Sequence, residues 1–276
     1  MYLLNRSIAL KSSALGLIFL FCVSFIACLQ KNSVRQIQAI ATSMEEREKK
    51  DFTIQRRLSI IKNTPSLGFR NIIADSLFLS FLQYFSNATD ESDTPDAGEH
   101  LSPMFFESII SLDPFYRNYY LFLSSSTTLY AAQPQKTVEI MDKGLKRIDP
   151  EVISDSFYIW RYKGVDELLF VGDSQAARKS FQKAADWASR SSDPSSELMR
   201  KVSQQTADFL ETNPDSSQAQ VAAWSSVLFN ALDDTTRKKA AERIEGFGGS
   251  VDFLEDGNVR IKSTASDSSD ESGLGS

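Results

Sequence analysis

Residues that carry most protein chemistry are scarce in this chain. Its 276 residues include one histidine, His100, and two cysteines, Cys22 and Cys28, both inside a single apolar stretch near the N-terminus. Everything after that stretch is free of thiols, which excludes a disulfide framework, a thiolate metal site and a cysteine nucleophile there. One histidine cannot build a multi-histidine zinc site, and any Ser–His–Asp arrangement would have to use it. His100 stands in an acidic, aperiodic stretch, away from the fixed geometry that general-base catalysis requires. The glycine-dense run Gly246-Phe-Gly-Gly249 lacks the Lys and Ser or Thr that complete a phosphate-binding loop. Asp166 and Glu167 are adjacent on a helical stretch, so their side chains diverge instead of converging across a substrate. These gaps point to a chain without catalytic groups, cofactor or metal.

Positive charge is short as well. Thirty Lys and Arg stand against thirty-six Asp and Glu, a net charge of −6. A nucleic-acid binder shows a basic field, and the densest basic cluster, Arg47-Glu-Lys-Lys50, is interleaved with acids as a solvated helix face is. Nucleic acid is therefore not an expected partner. Apolar residues make up 42% of the chain and charged ones 24%, which places most of it among folded globular sequences.

One long hydrophobic run exists. Ser12 to Leu29 carries no charge and follows Arg6 and Lys11; as a helix it would span roughly 27 Å, enough for a bilayer core. Three readings compete: a single transmembrane anchor, a cleaved secretory signal, and a lipoprotein signal ending at Phe25-Ile26-Ala27-Cys28, with Cys28 the lipidated residue. Lys31 and Arg35 nearly balance the basic residues on the other flank. Two of the three readings export the rest of the chain, so the expected location is a membrane-anchored domain on the periplasmic or lumenal side.

Beyond the run, the pattern turns helical. Val34, Ile37, Ile40 and Met44 recur at helical spacing and lead into a charged continuation, a stalk over 31–64 that stops at Thr64-Pro65. Ile73, Leu77, Phe81 and Phe85 mark a buried helix from Arg70. Ser86 to Leu101 then loses periodicity and gathers five acids, Asp90, Glu91, Asp93, Asp96 and Glu99. Their spacing does not follow a calcium-binding loop, and a solvated insertion is expected. Later helices are expected over Tyr119 to Tyr130, around Val138 to Ile148, and from Phe157 to Ala188 with a turn at Gly172-Asp173. Three more follow at Ser196 to Leu210, Ser217 to Ala231 and Thr235 to Ile244. After Gly248-Gly249, two β-favouring runs flank Asp256-Gly257, a hairpin signal. Residues 191–262 read as a helical cap closed by that hairpin, and 263–276 as a disordered acidic tail.

The Asp113-Pro114 and Asp149-Pro150 pairs lie 36 residues apart, close to the period of about 34 found in helix–turn–helix repeats. Within Phe157 to Ala188, Trp160 and Gly164 fall at first-helix spacing, and Ala177, Phe181 and Ala184 at second-helix spacing. On these residues the stretch 70–189 resembles the tetratricopeptide (TPR) family, and with its apolar N-terminus the chain is similar to membrane-anchored repeat proteins of bacteria, cyanobacteria among them. The match has departures. One residue too many separates the two helices of the third unit, Glu167 stands where Tyr is usual, and Thr137, Met141 and Gly144 replace Ala, an aromatic and Ala in the second.

The expected fold is all-α: TPR-like antiparallel hairpins over 65–190 stacked as a short solenoid, with the anchor before them and the capped β-hairpin after. The resemblance implies a non-enzymatic scaffold or adaptor that binds a protein segment, with assistance in assembling a membrane complex as one such role. In this family the first helices line the concave face. Trp160, Arg161 and Lys163, together with the arginine that follows Tyr116, Arg117, are the candidate protein-binding residues. The competing expectation is an exported lipoprotein that binds a ligand or metal, or hydrolyses a substrate, through the acidic loop.

Overall fold

A computed structural model describes residues 44–63, 65–90, 101–254 and 259–263. Two compact units divide at Phe52 and Thr53. The described part of the first is a length of helix only. Among the described residues there are ten helices and one two-stranded sheet. In order they are α1 (Met44–Asn63), α2 (Arg70–Asp90), α3 (Ser102–Leu112), α4 (Arg117–Leu123), α5 (Pro134–Leu145), α6 (Phe157–Asp166), α7 (Ser174–Ser189), α8 (Ser196–Thr212), α9 (Ser217–Asn230) and α10 (Asp234–Gly246). Strands β1 (Gly249–Phe253) and β2 (Val259–Ser263) pair antiparallel, with Val251 opposite Ile261. The expected all-helical chain with a small C-terminal hairpin is what the described residues form. The apolar run at 12–29, Cys28, the Asp256-Gly257 turn and the tail lie outside them.

The second unit is a row of antiparallel pairs, α2 with α3, α4 through its continuation Ser124–Tyr130 with α5, α6 with α7, and α7 in turn with α8. Each pair has apolar stripes too wide to bury alone, so neighbouring pairs close on one another. Ala74, Leu77 and Phe81 turn one stripe of α2 inward, where the Phe81 ring meets Phe106 of α3 edge-on at 4.6 Å. Tyr119, Tyr120 and Leu123 do the same for α4. Each such buried side chain contributes about 2 kcal/mol from lost hydration alone. Helix α2 extends to Asp90, so the first five residues of the expected loop are helical. Leu101, at its far end, is fully buried.

The departures from the repeat pattern have physical causes. Thr128 donates to Thr137 across the second pair, hydroxyl to hydroxyl at 2.9 Å, a bond that Ala at 137 could not accept. Gly144 admits the Tyr120 ring, whose hydroxyl reaches over to donate to the Pro114 carbonyl at 2.8 Å. The surplus residue is absorbed by geometry. Helices α4 and α6 each widen at the C-terminal end into a π turn, Ser124–Tyr130 and Glu167–Val171, and an i→i+5 turn holds one residue more than an α turn. Gly172 then reverses the chain in the left-handed region at φ +86°, and Asp173 caps α7 by accepting from the Ala176 amide at 2.8 Å.

Helices α9 and α10 with the hairpin form a second core around Trp224, Val227, Leu228 and Ile244. Val221, Trp224 and Leu228, at three- and four-residue spacing, turn inward, while Leu232 is half-buried. Their main partner is not the preceding helix α8. They pack on the π turns of α4 and α6. The reason is polar: a helix end leaves carbonyls without partners, and Gln220 donates to the Leu168 carbonyl at 3.1 Å while the Trp224 indole donates to that of Phe170 at 3.2 Å. Asp233 caps α10 through the Thr236 amide.

One turn is costly. Ser66 to Phe69 closes on a 2.8 Å backbone bond with both central residues left-handed, Leu67 at φ +47° and Gly68 at φ +90°. This type I′ geometry favours Asn or Gly, and a leucine there costs about 1–2 kcal/mol.

The close approaches make a quantitative prediction. A Cβ at Gly144 would lie 2.1 Å from the Tyr120 hydroxyl, whereas one at Gly164 would lie 3.1 Å from the Phe181 ring. Gly144→Ala is expected to lose about 1–3 kcal/mol despite a helix-propensity gain of about 1 kcal/mol, and Gly164→Ala distinctly less. Chemical denaturation of both variants checks this; equal effects would refute the packing described.

Candidate functional site

Three candidate residues, Trp160, Arg161 and Lys163, sit within one turn of α6, and the structure turns them to different tasks. Trp160 meets Trp187 of α7 edge-on at 5.7 Å, with the Lys163 ammonium 5.5 Å from its ring centre. Its indole N–H is buried and makes no hydrogen bond. Arg161 donates to Ser203 Oγ on α8 at 2.7 Å and lies over the Phe181 ring at 5.9 Å, tying α6, α7 and α8 together. Burial holds its guanidinium pKa below the usual range.

Lys163 is 7% exposed. Its Nζ is ion-paired with Glu167 one helical turn on, donates to Ser180 Oγ at 3.2 Å and has Asp142 at 3.4 Å. Ser180 in turn donates to the other Glu167 oxygen at 2.5 Å. Glu167, the residue in the usual tyrosine position, is therefore the acceptor at the centre of a closed polar knot. Arg117 lies between α4 and α6, 3.3 Å from Asp155 and 4.9 Å over the Tyr158 ring. Tyr116 beside it is half exposed and edge-on to Tyr119. His100, most of the acidic loop and Cys28 lie outside the described residues.

Beside Glu167 in the sequence stands a second acid, Asp166, whose burial only the structure reveals. Asp166 is fully buried where the α4 and α6 pairs meet; one carboxyl oxygen accepts from Ser124 Oγ at 3.1 Å and the other has no hydrogen-bond partner. Desolvation raises its pKa to about 7, the neighbouring Glu167 charge adds to the rise, and the Ser124 and Thr128 hydroxyl groups oppose it. Its only signal in the sequence is a charge at a position where helical spacing puts the interior.

A Lys, a Glu and a Ser in contact resemble a proton-transfer relay, but each is under a tenth exposed and each is saturated by the others. The knot is suited to holding α6 and α7 in register. Accessible chemistry lies on the open flank of α2, α4 and α6 instead. These helices are joined side by side by Tyr119 O–H donating to Asp75 at 2.6 Å, by the Phe78 and Phe122 rings at 5.1 Å, and by the Ser124–Asp166 bond. Alongside these contacts Ile72, Leu79, Leu121, Phe122 and Val165 remain exposed, with Tyr158 and Tyr162 half-buried next to them. Such a surface binds other apolar surface.

The chain matches no protein-family model, no curated protein and no solved structure. Among the described residues no group of His, Cys, Asp and Glu is placed to hold a metal ion, and no helix is long and apolar enough to cross a membrane.

Two expectations follow. Lys163→Met strands the Glu167 carboxylate and is expected to cost about 3–5 kcal/mol, while Lys163→Met combined with Glu167→Leu costs far less than the sum; additive losses in a double-mutant cycle would contradict the knot. Asp166 binds its proton in the folded chain up to about pH 7 but releases it near pH 3.8 when unfolded. Folded chains thus hold the extra proton between those values, and stability falls as pH rises through that window, by up to about 4 kcal/mol in all. Melting temperature should decline from pH 5 to pH 8, and Asp166→Asn should flatten the decline. An unchanged slope would show that Asp166 is not responsible.

Proposed function

We propose that this protein is a TPR-like, membrane-tethered scaffold that docks a segment of another protein along the open flank of α2, α4 and α6. The observation that carries the reading is the row of exposed apolar residues on three helices linked by the Tyr119–Asp75, Phe78–Phe122 and Ser124–Asp166 contacts. A rigid row of parallel helical ridges accepts an extended or helical apolar segment, as groove-binding modules do. The repeat spacing of 70–189, the small residues at close approaches and the polar knot behind α6 all support a scaffold held in one shape. The apolar run at 12–29 supplies the tether, and Cys28 within it a lipid attachment point under the lipoprotein reading. Arg117, at the edge of the row with its charge only part-covered by Asp155, is the polar contact that orients the segment.

Site-specific photocrosslinking in intact membranes tests this. A photoreactive residue replacing Phe122 should trap one discrete protein, whereas the same group replacing Glu139 on α5 should trap none. Leu121→Glu should abolish the adduct and shift the melting temperature by no more than about 2 °C, since the side chain is exposed. Equal adducts at both positions would contradict the reading.

A further inference from the structure

The turn between α1 and α2 combines three features, and of the docking flank's residues it shares only Ile72. First, the turn holds Leu67 in a left-handed conformation while leaving it 84% exposed, and Phe69 beside it is 60% exposed. A strained backbone is ordinarily stabilised by packing of the side chain it presents, and no such packing surrounds this one. The position next to it opens onto empty space, with nothing within 4 Å of where a Gly68 Cβ would stand. Second, the apolar tip continues onto both helices through exposed Ile60 and Ile72. Third, the segment from Thr53 to Ala74 contains Arg56, Arg57, Lys62 and Arg70 and no acid, in a chain whose net charge is −6. All four bases are exposed.

The charge is held at the tip. Arg70 donates to the Ser111 carbonyl at 2.6 Å and the Leu112 carbonyl at 3.1 Å, which fixes its guanidinium beside the turn. Lys62, Pro65, Leu67 and Arg70 line one shallow cavity of about 520 Å³. The facing acid from the packed helix α3 is Glu107, 3.7 Å from Lys62, and it is shared with Lys143 at 3.0 Å. Lys143 and the neighbouring bases lower the Glu107 pKa, so it is charged at neutral pH. One shared acid does not offset four bases. An exposed apolar turn with exposed bases on both flanking helices fits an anionic bilayer, where aliphatic and aromatic side chains enter the interface and Lys and Arg meet headgroup phosphates.

We infer that the α1–α2 tip is a second membrane contact, in which Leu67 and Phe69 insert into an anionic lipid surface and Arg56, Arg57, Lys62 and Arg70 bind its headgroups. The contact stands on the described residues alone and does not need 12–29 to be an anchor. With the tether proposed above, it would hold the row of helices at a fixed tilt to the bilayer.

Flotation of the full chain with phosphatidylcholine vesicles, and with vesicles containing about a quarter phosphatidylserine, tests it when followed by hydrogen exchange of the amides over 65–72. Anionic vesicles should slow that exchange about fivefold or more, zwitterionic ones should not, and about 0.5 M salt should reverse the effect. Arg56→Glu with Arg57→Glu should weaken it about tenfold. Leu67→Asn with Phe69→Ser should abolish it while the melting temperature holds or rises, because Asn suits the turn. Flotation with anionic vesicles alone, with the loop protected, supports the inference and removes the tether. Flotation with both vesicles and protection on the anionic ones supports both. Flotation with both and no protection overturns the inference and leaves the tether. Flotation with neither overturns it as well.

Discussion

The side-by-side contact of α2, α4 and α6 is the interaction on which the rest of the described fold depends. None of these helices can bury its own apolar stripe, and the connecting turns alone would not fix their order. What joins them is a mixed seam. Phe78 and Phe122 supply apolar contact, and Tyr119–Asp75 and Ser124–Asp166 supply directional bonds on either side of it. Apolar contact is tolerant of sliding, whereas a hydrogen bond to a carboxylate is not. The seam therefore sets both the spacing and the register of the row, and the exposed flank follows from it.

Polar groups inside this fold act at the ends of helices and at their crossings. Glu167 closes the knot with Lys163 and Ser180 where α6 becomes a π turn. The carbonyls left over by the same turn are taken by Gln220 and Trp224 of α9. One local deformation thus has two consequences. It aims a buried carboxylate into the hairpin and it offers the C-terminal helices a place to dock. Asp166, one residue earlier, stays half-satisfied, a site where stability is given up to keep the α4 and α6 pairs in contact.

Much of this was legible in the residues. Fourfold spacing of Leu77, Phe81 and Phe85, the Asp-Pro stops, Gly172 and the caps Asp173 and Asp233 each act through local geometry, so the sequence alone places their helices. The β-hairpin after Gly249 was legible for the same reason. Less was visible where one residue answers another far along the chain. Glu167 reads as a misfit until Lys163 and Ser180 are seen around it, and Gly144 as a weak substitute for Ala until the Tyr120 ring fills its place. The docking of α9 on the π turns instead of α8 was hidden because a free carbonyl leaves no mark in a sequence. The interior position of Lys163 was hidden too, since a long basic side chain on a helix ordinarily reaches solvent.

The central claim is that α2, α4 and α6 form one cooperative row. Native-state hydrogen exchange under rising denaturant tests it most directly, because it reports the opening free energy of each helix separately. The account predicts that the slowest amides of all three helices converge on one common opening, within about 1 kcal/mol of one another. Opening of the α2–α3 pair at a much lower free energy than the α6–α7 pair would show separate hairpins in contact, and would contradict the account.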